Sequence, residues 1–420
     1  MAQVHPRTGQ LTDSAVPELG MLLAKGVPAP LQAALGSEGV TVVDSRPTQV
    51  TWEPGRSVAV RYQAALRGAG LDGTEQLVAT AGHIPSGALV VESERFSVGV
   101  WRVPHDPKLP GLPAAVDQRR VTELLTDLGA PETRVSTRLR AYRPGRRAVV
   151  EGRGSRHSIY LKVLRRERVE LLHRHHLHLS PHLPIPESMG FSSELGIIAL
   201  QTLPGVTLRN ALDDQSVALP NPASLADYLQ SLPNPIVEHR APSAMGRLPE
   251  ISRLLRELMP EHSHRLDALS RHIGEDPLDE RAPVHGDFYE AQVMVKDARV
   301  VGILDVDTYG WGHPADDLAT MIGHLSVWQS LSRQTERVRS FGQKLLRHAD
   351  QRVDPADLRR RVAAVVLSLA PGPFRVLLPD WPEETERRIS LAERWIESAI
   401  RVDKESLMPA LPHSYLVQTG

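Results

Sequence analysis

PVHGDFYEAQVMVKDARVVGILDVDTYGWGHPADDLA, residues 283–319, is the stretch on which the fold turns. Two strand-like apolar runs, QVMV (292–295) and RVVGIL (299–304), flank a tight KDA turn and read as a β-hairpin. The hairpin carries Asp305 into a loop 18 residues beyond Asp287, and that loop contains Gly310, Gly312 and Pro314. A helix starts next. Asp316 and Asp317 fall in its first turn, where acids suit the helix dipole, and Leu318, Ile322 and Leu325 recur on one face. Isolated, Asp316 reads as an exposed first-turn acid.

This order of groups suits phosphoryl transfer. That chemistry asks for an aligned hydroxyl, neutralised phosphate oxygens and a divalent cation on hard oxygen ligands. Asp287 can accept a hydroxyl proton. Gln292, five residues on, can offer an amide oxygen to a metal without adding charge, and Asp305 can bridge the metal from the hairpin. Together with His285-Gly286 and Asp317-Leu318-Ala319, the stretch resembles the aminoglycoside-phosphotransferase and choline-kinase group, small-molecule relatives of the protein kinases. The resemblance implies a catalytic pair of Asp287 and His285, Mg2+ on Gln292 and Asp305, Asp317 as a brace of the catalytic loop, and ATP as donor. The acceptor it implies is a hydroxyl on a small molecule: a sugar, an amino sugar or an aminoglycoside-like compound. Most of the group has Asn where this chain has Gln292. Maltokinases and related bacterial sugar kinases also place Gln there, and they carry an extra domain before the kinase lobes. Asp307 is a second acid beside Asp305 and reads as another ligand or a loop anchor.

Upstream, Lys162 lies in the middle of the strand-like IYLKVL (159–164), where an amine needs an anionic partner. The resemblance aims it at the ATP phosphates and puts its carboxylate partner on the following helix, at Glu170 or, second, Glu167. The turn RPGR (143–146) would cover the phosphates; it is not a G-x-G-x-x-G loop, and Arg143, Arg146 and Arg147 would supply charge in place of backbone cradling. LQTLPG (200–205) resembles the hinge between lobes, with adenine meeting backbone groups near Gln201 and Leu203. The missing Gly-rich loop and Gln292 leave open a second reading, a kinase-like protein that binds nucleotide or a partner without turnover.

The fold class expected is α+β: a protein-kinase-like two-lobe fold with an antiparallel-sheet N-lobe and a mainly helical C-lobe, plus an additional N-terminal α/β domain. The boundaries are 1–115 for the extra domain, 116–204 for the N-lobe and 205–420 for the C-lobe. An internal echo accompanies this division. WEPGRSVAV (52–60) matches YRPGRRAVV (142–150) at an offset of 90, and FSVGVWRVP (96–104) is similar to HSIYLKVLR (157–165), which sets Trp101 opposite Lys162. A duplicated sheet lobe, its second copy functional, is the expectation.

Composition narrows the classes. With 49 basic and 50 acidic residues the net charge is −1, which gives no reason to propose nucleic-acid or membrane-surface binding. There is no cysteine, so disulfides, thiolate chemistry and Cys-ligated zinc are excluded. No stretch reaches the roughly 18 apolar residues of a membrane span, and a cytoplasmic monomer or homodimer is expected. HRHHLH (173–178) reads as a histidine-rich helix, and EDPLDE (275–280) as a solvated acidic loop or an attractor of a cationic substrate.

Overall fold

The computed structural model describes residues 5–130, 134–154, 158–276 and 280–407. The chain opens with α1 (Glu18–Leu23) and α2 (Ala29–Gly36), then five antiparallel strands, β1 (Thr41–Glu53), β2 (Ser57–Gly68), β3 (Leu71–Ala81), β4 (Leu89–Ser93) and β5 (Phe96–Arg102). Helices α3 (Leu112–Val116) and α4 (Gln118–Asp127) lead to a second sheet of β6 (Ser136–Arg143), β7 (Arg147–Arg153), β8 (Ser158–Val163), β9 (Ser188–Ser192) and β10 (Ile197–Gln201). Helix α5 (Arg166–Leu179) follows β8. The remainder is mainly helical: α6 (Leu208–Asp213), α7 (Ala223–Gln230), α8 (Leu248–Leu258), α9 (Ser263–Ile273), α10 (Asp316–Leu331), α11 (Thr335–Ala349), α12 (Pro355–Leu369), α13 (Gly372–Arg375) and α14 (Trp381–Leu407). Short strands interrupt it: β11 (Val206–Thr207), β12 (Ala282–Val284), the hairpin β13 (Val293–Lys296) and β14 (Arg299–Ile303), and β15 (Gly310–Gly312). An antiparallel sheet joined to a helical lobe is the two-lobe α+β arrangement expected. Among the described residues no helix is long and apolar enough to cross a membrane.

The two large sheets share one strand order, first-second-third-fifth-fourth. Their opening hairpins share a turn as well. Gly55 (φ 74°) and Gly145 (φ 66°) occupy the left-handed region that glycine enters without a Cβ penalty, and the register closes at Glu53 opposite Ser57 and at Arg143 opposite Arg147. The offset of 90 therefore holds in space. The assignment of Trp101 to the Lys162 position does not. Lys162 faces Val149 across β7 and β8, whereas Trp101 pairs with Val78 on the fourth-placed strand. The register partner of Lys162 is Thr80, which faces Ala59. Similar strand composition misled the alignment; position in the sheet decides it. The first sheet also has no helix between its third and fourth strands, where the second has α5.

Packing ties the first sheet to both lobes. Its core residues, from Leu11 to Val100, form one cluster with Leu254, Leu258 and Met259 of the α8 region and with Phe374, Leu377 and Trp381. Its other face shares a cluster with the second sheet, in which Trp101 Nε1 donates to Tyr142 OH at 3.0 Å and Tyr142 OH donates to Asp106 at 2.8 Å. Trp381 Nε1 donates to Thr8 Oγ1 at 2.9 Å in the interior. Each buried large apolar side chain contributes about 2 kcal/mol, so this shared surface holds the three layers together.

Candidate active site

The hairpin β13–β14 closes on Asp297 and Ala298, both at positive φ (50° and 58°), the two-residue turn whose twist matches paired strands. It returns the chain to the loop it left. Leu304 N–H donates to Gln292 O at 2.7 Å and His285 Nε2–H donates to Leu304 O at 2.8 Å, so the residue before Asp305 is pinned from both sides. Asp305 itself sits at φ 62°, ψ 52°, a left-handed conformation that asparagine and aspartate tolerate at a cost of order 1 kcal/mol. The loop that carries Asp287 is held from below. Asp317 accepts the N–H groups of His285 (2.6 Å) and Gly286 (2.9 Å), and burial pushes its carboxyl up to about 6 against those two bonds. Gly286 is required here: at φ 80° a Cβ would stand 2.8 Å from Thr308 O.

Four expected groups converge above this floor. Gln292 Nε2 lies 3.3 Å from Asp305, and Lys162 Nζ lies 2.7 Å from the same carboxylate. Asp287 is close enough for the Asp305 charge to act on it. The two acids are pushed apart. Burial raises Asp287, and the Asp305 charge adds to the rise, while His285, Arg147 and Arg143 pull the other way. Burial alone would also raise Asp305, but Lys162 and Arg147 hold it well below the usual carboxylate range. One carboxylate is thus tuned towards taking a proton and the other towards permanent charge, the division of labour that marks an acid–base site.

Three expectations need correction. Glu170 and Glu167 do not meet Lys162: both are exposed, because α5 turns Val169, Leu172, His175 and His176 inward. The buried amine is instead clamped by Asp305 and Asp307, and Arg147 contacts the same two acids at 3.1 and 3.3 Å. Arg146, in the turn before β7, pairs instead with Glu53 at 3.3 Å. His285 is buried at 2% exposure and spends both ring nitrogens on the loop, with Nδ1 accepting the Asp287 N–H at 3.3 Å, which leaves neither nitrogen free for a direct catalytic contact.

Of the hinge pair, Gln201 N–H donates to Glu187 O at 2.9 Å, and half-buried Leu203 packs over Gly302. Asp316 is no exposed acid: the fully buried Arg361 binds it at 2.8 Å together with Asp276 (3.1 Å) and Asp357 (2.7 Å). That also neutralises Asp276 of the acidic stretch 275–280, of which 277–279 lie outside the described residues. One brace went unread in the sequence. Glu290, three residues after Asp287 and fully buried, takes the Arg209 guanidinium at 2.8 Å while its carbonyl accepts Arg209 N–H at 3.0 Å.

Could these groups hold a nucleotide with its metal? The donor set is one amide and one carboxylate, both hard oxygen donors, beside a lysine and an arginine. Mg2+ prefers such a set, one or two protein oxygens completed by water and phosphate. Gln292, Asp305, Lys162 and Arg147 therefore fit the group.

The histidines on α5 carry a pH consequence. Burial pushes His175 and His176 down to about 4 from 6.5, and His176 Nδ1–H donates to Pro186 O at 2.7 Å. The unfolded chain takes up these protons as pH falls through 6.5, whereas the folded chain resists until about 4. Stability is therefore full above the upper value and declines below it, on the order of 2 kcal/mol per pH unit for the pair. Urea midpoints measured above and within that interval check this; equal midpoints contradict it.

The chain is similar to solved structures at low identity. A thermostable mutant of aminoglycoside phosphotransferase APH(4)-Ia, in ternary complex with AMP-PNP and hygromycin B, is 16% identical, with 67% of this chain and 98% of that chain covered and a TM-score of 0.46. Macrolide 2'-phosphotransferase MphH from Brachybacterium faecium is 17% identical, with 64% and 97% covered and a TM-score of 0.40. Choline kinase LicA from Streptococcus pneumoniae is 12% identical, with 67% and 98% covered and a TM-score of 0.44. No curated protein matches the chain at a significant level. The model of the phosphotransferase enzyme family matches residues 145–360, slightly more than half of the chain and all of the loop and hairpin just described, and the chain belongs to that family.

Proposed function

We propose that this protein is a kinase that transfers the terminal phosphoryl group of ATP, as its Mg2+ complex, to a hydroxyl of a small molecule. The observation that carries the reading is the convergence of Asp287, Gln292, Asp305 and Lys162 from distant positions, with the two carboxylates driven to opposite protonation tendencies. Asp287 receives the acceptor's hydroxyl proton. Lys162 and Arg147 steer the phosphates, and Gln292 with Asp305 would hold the metal. Bound Mg2+ neutralises charge on the phosphate oxygens as the group transfers. Asp317 and His285 keep the loop in place for this contact. We read residues 1–115 as a second sheet lobe without a nucleotide site, since Thr80 stands in the register position of Lys162.

The test is acceptor-dependent release of ADP from MgATP across a panel of hydroxyl compounds, with chelation of the metal as the control. Turnover that needs both an acceptor and Mg2+ supports the reading. Binding of ATP with no turnover on any acceptor, and no slow hydrolysis, favours the non-catalytic alternative.

A further inference from the structure

Each large sheet opens on a hairpin turn, and an aspartate outside the sheet holds each turn in the same way. In the first sheet Asp13 Oδ2 accepts Gly55 N–H at 2.8 Å and Trp52 Nε1–H at 2.9 Å, while its Oδ1 accepts Ala15 N–H at 3.0 Å. In the second, Asp106 Oδ2 accepts Gly145 N–H at 2.7 Å and the Tyr142 hydroxyl at 2.8 Å, while its Oδ1 accepts Lys108 N–H at 2.8 Å. One carboxylate oxygen takes the turn glycine and an aromatic donor three residues before it; the other fixes the aspartate's own loop. Asp106 is 3% exposed, so its bonds are made away from bulk water, where losing one costs most. Neither aspartate belongs to the strands it holds: Asp13 precedes α1 and Asp106 precedes α3.

The two turns differ in what they carry. The residue that opens the second strand is Ser57 in the first sheet, opposite Glu53, and Arg147 in the second, opposite Arg143. Arg147 leaves the sheet to reach Asp305 at 3.1 Å and Asp307 at 3.3 Å. Val149, two residues further on, faces Lys162. A displacement of the Gly145 turn therefore moves the arginine and disturbs the strand beside the lysine. The backbone of Gly145 is held by Asp106 at its N–H and by Arg165 at its carbonyl, the latter at 3.1 Å. The Arg165 bond is exposed, so the buried aspartate is the firmer of the two.

We propose that Asp106 is a positioning residue for the nucleotide: through the Gly145 turn it keeps Arg147 where the phosphates of ATP arrive, while the same device at Asp13 serves structure alone. This rests on the kinase reading above. Asp106 acts through Arg147 and not on the reacting atoms. Its effect is to keep the competent turn populated before ATP binds. With the turn competent in about one molecule in ten once the aspartate is gone, the apparent Kd rises about tenfold, because part of the binding free energy goes into reordering the turn. Once nucleotide is bound the turn is in place, and the number of sites is unchanged. A merely structural loss behaves differently. It removes folded molecules, so the number of sites falls and the affinity of those that remain is kept.

Calorimetric titration of the full chain with AMP-PNP in Mg2+ reads affinity and number of sites together, and urea denaturation reads stability. Asp106→Ala is expected to weaken AMP-PNP about tenfold with the number of sites kept. Asp13→Ala, which removes the same device from the other sheet, should lower stability as well but leave the affinity within about threefold. Asp106→Asn, whose side-chain oxygen still accepts from Gly145 and Tyr142, should restore the affinity to within about threefold of the unaltered chain. Hydrogen exchange of the segment 142–147 should quicken in Asp106→Ala and slow again with AMP-PNP. An Asp106→Ala chain that binds AMP-PNP within about threefold of the unaltered one overturns the proposal. So does equal weakening by Asp13→Ala, or a fall in the number of sites at unchanged affinity. An unaltered chain that binds no AMP-PNP strikes the kinase reading itself, and this inference with it. Should Asp106→Ala not fold, Tyr142→Phe, which takes away one of the two bonds on the same oxygen, carries the comparison: a loss of about fivefold is expected, and unchanged affinity overturns the proposal.

Discussion

Asp287→Asn lowers turnover by about a thousandfold and leaves nucleotide affinity within about threefold of the unaltered protein. Asparagine has the same shape, and the backbone N–H of residue 287 still reaches His285 Nδ1, so the loop keeps its place. What disappears is the capacity to accept a proton. The raised pKa of Asp287 adds a signature: kcat/KM should climb as pH rises through a value above the ordinary carboxylate range and then level off, and the Asn variant should lack that limb. ADP-release kinetics across pH, beside equilibrium titration with AMP-PNP, measure both. Turnover within tenfold of the unaltered chain would remove Asp287 from the mechanism.

Lys162→Met has the second large effect, and it falls on stability as well as activity. Methionine fits the volume but withdraws the amine from between Asp305 and Asp307, two acids at 12% and 13% side-chain exposure that would keep Arg147 alone. Removing one member of a buried charge cluster costs about 3–5 kcal/mol, and urea denaturation reads that loss directly. Binding of AMP-PNP should weaken in parallel. Glu170→Gln and Glu167→Gln are the contrast: both side chains are exposed and away from Lys162, so each should fall within about 0.5 kcal/mol of the unaltered protein. A Lys162→Met chain as stable as the original, or a Glu170→Gln chain as damaged, would mean that the clamp lies elsewhere.

The site's local parts were legible because local chemistry dictates them. The KDA turn, the pinned Asp305 and the first-turn acids of α10 follow from turn residues, strand runs and the helix dipole, and the turn at Gly145 was readable from Pro-Gly-Arg. The partner of Lys162 was not. Asp307 lies 145 residues away, and no spacing rule reaches that far; the helix next in sequence looked nearer, although Val169 and Leu172 already fixed its inward face and so turned Glu170 out. Arg146 and Arg147 are adjacent, but one ends the turn and the other opens β7, a boundary that the run of arginines does not mark. β9 escaped notice because each of its residues, Ser188 to Ser192, is half-buried, so it has no alternation to read.

The first sheet borrows part of its interior from the end of the polypeptide. Thr8 and Trp381 are bonded across 373 residues, and the strands near the amino end cover apolar side chains that a ribosome delivers last. At translation speeds of about 5–20 residues per second, those strands wait tens of seconds with one flank uncovered. Synthesis of this protein therefore presents a long-lived nascent intermediate, whose exposed face is the natural target for chaperones. A fragment trimmed to the family-matched region, residues 145–360, would leave Leu254 and Leu258 of α8 bare and would lack α13 and α14 altogether.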